Sequence, residues 1–243
     1  MIARSRAVIG PAGRLVELAC QPPLTLRQVT AARPGVCALC LVGSAAGPLA
    51  GDDLTLTLEV TDGGSAVLQA AGAQIAQGRT GQAGSCLALQ ATVGGGGRLS
   101  ADPGPLIIRP GGRVDARVDI RLAADATVDW RELIVLAGGG APDPAAVTVR
   151  WDVTRRGQPL LRQMTDLTDP GWQSWPGMVA GARVLASALL AGPGVTATTI
   201  VAAPTAAAQQ LAESAVLVTV LADDAAAARR QRDELCGCVL RGR

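Results

Sequence analysis

Residues 47–79, GPLAGDDLTLTLEVTDGGSAVLQAAGAQIAQGR, decide the fold. A turn of small residues at 47–53 opens the stretch and ends on the acidic pair Asp52 and Asp53. Leu54, Leu56, Leu58 and Val60 then alternate with Thr55, Thr57 and Glu59, the two-residue period of a half-buried strand. Asp62, Gly63 and Gly64 tolerate positive φ, and 66–71 returns as a second apolar segment. The pattern predicts a β-hairpin with a carboxylate pair at its mouth.

Outward from this stretch the same signature recurs. Residues 36–42 are a continuous apolar run, as in a strand buried on both faces. Residues 86–93 are strand-like and lead into four glycines, 94–97, too flexible for an element interior. In 113–122, Val114, Ala116, Val118, Ile120 and Leu122 oppose Arg113, Asp115, Arg117, Asp119 and Arg121. The charged side alternates in sign and reads as a solvated surface. Residues 127–136 continue as a buried strand, Gly138, Gly139 and Gly140 break the chain, and 147–153 and 159–164 form a hairpin about Arg155, Arg156 and Gly157. Residues 166–177 read as a loop whose Trp172 and Trp175 cover an edge, and 178–190 as a strand.

Helical signals come late. Residues 205–213 follow Pro204, and 223–235 open on Asp223 and Asp224, which suit the positive end of a helix dipole. Strands at short spacing with helices only near the end predict a mainly β fold of stacked, helix-like strand layers with about two α-helices in the C-terminal part. Residues 1–13 read as a lead-in, 14–235 as one domain and 236–243 as a flexible tail. No exact repeat is present, so any layering is degenerate.

Composition narrows the chemistry. All 22 basic residues are arginine, and Lys, His, Phe and Tyr are absent. A Ser-His-Asp triad, a His metal cluster, a Schiff-base lysine and a P-loop lysine are therefore excluded. The net charge of +2 with interleaved signs gives no basic field for nucleic acid. Six cysteines lie in a chain whose first residues carry Arg4, Arg6, Arg14 and Glu17 and form no apolar leader. This predicts a cytoplasmic protein with reduced thiols. Residues 184–212 lack charge, but Gly192, Pro193 and Gly194 interrupt them and Thr196, Thr198, Thr199, Gln209 and Gln210 make them too polar for a span.

The order of landmarks resembles a known family. The segment 44–52, SAAGPLAGD, is similar to the Gly-Gly-Asp turn of the urease accessory protein UreD (also called UreH). The following LTLTLEV strand keeps that family's order, as do the Gly-Ser-Ala turn and residues 68–76. Ala101, Asp102, Pro103 and 105–108 resemble its Leu-Pro-(Asp/Glu)-Pro segment. DWRELIVL at 129–136 resembles the strand before its Gly-Arg-X-X-Gly-Glu turn, and VTRRGQPLLR at 153–162 its later hairpin. The resemblance runs from about Arg14 to Leu235 and rests on order and spacing. It implies a non-enzymatic scaffold that binds UreF, and through it the GTPase UreG, docks on apo-urease and forms a dimer within the accessory complex. It also implies an internal passage that conducts Ni²⁺ in transit, with no tightly bound cofactor. The passage carboxylates map onto Asp52 and Glu132, and Gly47 and Gly51 onto the motif turn. Sparse oxygen ligands suit a transfer route, because a tight site would trap the ion. The family's Lys and aromatic are replaced around 74–77, and the Gly-Arg-X-X-Gly-Glu turn has become 137–142, AGGGAP, without Arg or Glu.

Each candidate has a plainer reading. Asp52 at a turn is also a common cap. Glu132 in an apolar strand must face a cavity, water or a partner. Cys37 and Cys40 would point to opposite faces of a strand and read as small buried hydrophobes. Cys236 and Cys238 share a face if the tail is extended and are then a candidate nickel or zinc pair. Trp172 and Trp175 suit either edge packing or a partner. Two other functions stay open: a β-rich protein-binding module without a metal role, and a hydrolase using Asp52 or Asp53 with Glu132.

Overall fold

In the computed structural model of the chain, which describes residues 1–79, 81–138, 141–196, 202–211 and 214–241, Leu54, Leu56, Leu58 and Val60 are buried as their alternation requires. Their strand has a different neighbour from the one expected. The chain opens with β1 (Ile2–Ile9), β2 (Leu15–Ala19), β3 (Leu24–Val29) and β4 (Cys37–Gly43), and β5 (Asp53–Val60) runs parallel to β1. The next strand, β6 (Ser65–Ala70), lies in the opposite sheet, parallel to β4. The turn at Asp62, Gly63 and Gly64 is a corner between sheets, so the predicted hairpin does not form. Both segments carry an inward apolar row, and only across a core can the two rows cover each other. The glycines at 94–97 form the matching corner of the next coil, where Gly95 N–H donates to Asp62 Oδ1 at 2.7 Å.

The coil repeats through β7 (Gln74–Ala76), β8 (Ser85–Val93), β9 (Arg98–Asp102), β10 (Pro105–Ile108), β11 (Arg113–Leu122), β12 (Thr127–Leu136) and β13 (Ala146–Arg155). One sheet stacks β1, β5, β8, β11 and β13 in parallel, and the facing sheet stacks β4, β6, β9 and β12. β12 changes partner along its length: residues from Thr127 to Trp130 pair with β9, and those from Leu133 to Leu136 pair with β10. Glu132 stands at that change of partner.

At the edges of the first sheet, β2 pairs antiparallel with β1 and β14 (Gln158–Leu167) with β13, so the hairpin expected about Arg156 is present. After α1 (Pro170–Ser174), the facing sheet is extended by β15 (Val184–Ala191), β16 (Ala202–Ala203), β17 (Ala206–Gln210) and β18 (Ala215–Ala222). The helix α2 (Ala225–Arg241) covers the outer side of β12, β15 and β18. The all-apolar sequence of β15 follows from this placement. Leu185, Leu189 and Ala191 face the inner core, and Val184, Ala186, Ala188 and Leu190 face α2.

Three further expectations are corrected. Residues 1–13 are not a lead-in: β1 is an interior strand that buries Ala3, Ala7 and Ile9, with Arg4 and Arg6 turned outward to Asp53, Glu17 and Glu59. The helix expected at 205–213 is instead mostly strand β17, Ala206–Gln210, with 212 and 213 outside the described residues. Ala206 and Ala208 alternate inward against β18, and ladder pairing outweighs the few tenths of a kcal/mol per residue that favour alanine in a helix. The tail is helix through Arg241, with 242 and 243 outside the described residues, because α2 continues into it and buries Cys236 and Val239. Asp224 caps α2 by accepting from Ala227 N–H at 2.8 Å, as the acidic start predicted. Gly139, Gly140, Thr198 and Thr199 lie outside the described residues. Among the described residues, no helix is long and apolar enough to cross a membrane.

Candidate functional site

The turn at 47–52 places Asp52 against the N-terminal strand, with Gly51 in the left-handed region at φ +76° just before it. Asp52 is 5% exposed. Its Oδ2 accepts from Leu49 N–H at 2.8 Å, and its Oδ1 pairs with the Met1 ammonium at 2.8 Å. Both oxygens are engaged in closing the turn onto β1. Asp53 faces the other way and pairs with Arg4 on the outer surface. We expect Asp52→Ala to destabilise the fold by about 2 kcal/mol, since it removes a turn bond and the partner of a half-buried charge. Denaturant midpoints would measure it, and an unchanged midpoint would show that the turn does not need the carboxylate.

Glu132 has a different setting. It projects into the core between Trp130 and Ile134 on the inward face of β12 and is 6% exposed. Trp151 Nε1–H, from the inward face of β13, donates to its Oε2 at 2.9 Å. Burial pushes the Glu132 carboxyl up to about 7, against a smaller downward pull from the Trp151 bond. The side chain lines a cavity of about 20 Å³ with Gln74, Leu87, Gly104 and Leu106, room for about one water. The interior behind β12 therefore holds a carboxyl beside a water-sized niche.

Helix α2 fixes this strand from outside. Arg232, fully buried, donates from Nη1 to the Glu132 carbonyl at 3.3 Å, from Nη2 to Asp102 Oδ2 at 3.2 Å and from Nε to Asp233 at 2.9 Å. Arg131 bridges Asp129 and Asp233 beside it. Two further inward groups carry buried nitrogens without a hydrogen-bond partner: Trp130 Nε1, and Arg155 Nε and Nη2. Trp151, Arg232 and Asp102 were not singled out as site residues from the sequence. For Arg232 a signal was present, because Ala228, Arg232 and Cys236 recur at the four-residue spacing of one helix face.

The remaining candidates separate. Cys37 points into the core and Cys40 away from it, as a strand dictates. Cys236 and Cys238 do not form the expected pair, because on a helix two positions apart places them on opposite sides. Cys236 is buried against the sheet, where burial pushes its thiol up to about 12, and Cys238 is exposed. Trp172 and Trp175 are 49% and 58% exposed at α1 and just after it. Asp52, Asp53 and Glu132 are not brought together, and among the described residues no group of three or more His, Cys, Asp or Glu side chains is placed to hold a metal ion.

The family model of the UreD urease accessory protein matches residues 4–242. The chain belongs to the UreD family. A UreD from Parafrankia sp. (strain EAN1pec) is 37% identical over 251 residues, covering 94% of this chain and 84% of the relative. UreD 3 of Streptomyces griseus is 35% identical over 243 residues, covering 96% and 94%, and UreD of Frankia alni is 34% identical over 260 residues, covering 91% and 87%. The UreD match takes in β1 and the end of α2, beyond the 14–235 limits of the sequence resemblance. This agrees with the structure, in which both segments pack on the body.

Proposed function

We propose that this UreD-family protein is a urease-maturation scaffold that binds UreF, and through it UreG, and passes Ni²⁺ toward the apo-urease active site. The observation that carries the nickel part is Glu132, a carboxyl kept inside a mostly apolar coil beside a niche for one water. A buried acid costs stability, so its presence calls for a task that an apolar residue would not perform. One carboxylate with water is a weak oxygen site for a divalent ion, which suits transit better than storage. Of the two mapped carboxylates, Glu132 takes this role, while Asp52 holds the turn.

In a strain depending on this chain for urease activation, Glu132→Ala is expected to leave the accessory complex assembled and lower urease nickel content several-fold, read by metal analysis of purified urease. Unchanged nickel would remove Glu132 from the route. The exposed Trp172 and Trp175 are proposed as the partner anchor, since aromatic side chains concentrate binding energy at interface centres. Changing both to alanine should weaken capture of UreF by about several hundredfold, at about 2 kcal/mol per anchor, while the melting temperature stays put. Equal capture by the double variant would assign the tryptophans to edge packing.

A further inference from the structure

One side of the niche beside Glu132 is a corner of the coil. Gly104 lines the niche from inside with Pro103 and Leu106. Gly104 also lines, with Gly72, Asp102 and Arg229, an open surface cavity of about 460 Å³. Residues 102–105 are thus a wall shared by the two spaces, and the wall is shut tight. At Gly104, φ is +83°, and a Cβ there would lie 2.7 Å from Ala70 Cβ and 2.8 Å from the Gly72 carbonyl oxygen. Arg232 fastens the wall from behind, because one guanidinium holds the Asp102 carboxylate and the carbonyl of Glu132 itself.

We infer that residues 102–105 are the gated mouth of the Glu132 niche, with the Arg232–Asp102 pair as its latch and Asp102 as the outer oxygen ligand for a divalent cation moving to Glu132. The inference rests on the nickel-carrying reading above. Asp102 suits the part because its side chain is 27% exposed while its partner Arg232 is wholly buried. Turning outward into the surface cavity, it releases both Arg232 and the Gly104 N–H that its Oδ1 accepts at 3.1 Å, and Arg232 keeps two other acceptors. A guanidinium and a divalent cation compete for the same carboxylate, so cation binding and unlatching are one event. The mouth therefore stays closed to solvent until the ion itself arrives.

The test uses the full chain with Trp130, Trp172 and Trp175 replaced by phenylalanine, leaving Trp151, which bonds Glu132, as the fluorophore. Neutral acrylamide reports opening of the mouth, and Ni²⁺ reports entry of the cation. Asp102→Asn, a change of equal size, removes the charge from the latch. It should raise acrylamide quenching about tenfold, the shift expected from losing one charge-assisted hydrogen bond, without raising Ni²⁺ quenching. Gly72 has open space around it, so Gly72→Leu should plug the surface cavity and cancel the acrylamide gain in the double variant. Acrylamide quenching unchanged by Asp102→Asn, or not cancelled by Gly72→Leu, would overturn the mouth. Ni²⁺ quenching that rises in step with acrylamide would overturn Asp102 as a ligand. Normal urease nickel content with Glu132→Ala, by contrast, would sink the transit reading while these quenching results stood.

Discussion

Glu132→Gln should make this protein more stable, and the gain should grow with pH. The carboxyl titrates at about 7 in the folded chain against a reference of 4.5, so the folded state holds its proton more tightly than the unfolded state does. The native protein is then most favoured below about pH 4.5 and loses stability as pH rises toward 7, where the ionised group must be carried in a dry interior. That difference corresponds to about 3 kcal/mol lost by pH 8, and less than about 1 kcal/mol at pH 5. Glutamine keeps the size and can still accept from Trp151 without the charge. The variant's denaturation midpoint should match the parent near pH 5 and exceed it by the equivalent of about 3 kcal/mol at pH 8. A parent protein whose stability is flat between these pH values would mean that Glu132 is solvated. If the slope is found, the parent tolerates a carboxyl that glutamine would improve upon, and such a sacrifice marks a working residue.

Much of the strand content was legible because alternation is a local property. Every second residue of β5 and β11 is apolar, and those residues face the core. Which strand each one pairs with was not legible, since a two-residue period says what faces inward but not whether the next segment returns beside it or across from it. That is why Asp62, Gly63 and Gly64 read as a hairpin loop and are a corner. The N-terminal strand was not legible because its inward row, Ala3, Ser5, Ala7, is only weakly apolar beside the charged Arg4 and Arg6. On an outer face they are ordinary, because Asp53 and Glu59 of the neighbouring strand meet them. At the site, Glu132 stood out as an acid within an apolar run. Its partners did not, because Trp151 and Arg232 lie 19 and 100 residues away in sequence and only the stacking brings them together.

The second large effect is expected at Arg232. Its side chain is completely buried between α2 and the sheet, with three acceptors on separate elements. Removing one member of a buried charged network leaves the others without a counter-charge, and typical losses are about 3–5 kcal/mol. Asp102 and Asp233 keep 27% and 39% of their side-chain surface exposed, so water can partly replace the guanidinium. Arg232→Ala should therefore cost about 3 kcal/mol, toward the lower end, or roughly 6–12 °C in melting temperature for a chain this long. Arg232→Met fills most of the volume and should recover part of that loss, separating packing from charge. The effect should also be local. The coil of strands does not depend on α2 for its ladders, so hydrogen exchange should rise along 225–241 before it rises in β5 or β8. Arg4→Ala is the control: it breaks an exposed pair with Asp53, where about 0.5 kcal/mol or less is expected. Were Arg232→Met as stable and as protected in α2 as the parent, the guanidinium would be dispensable to the helix. Its bond to the Glu132 strand could not then be what holds that carboxyl in place.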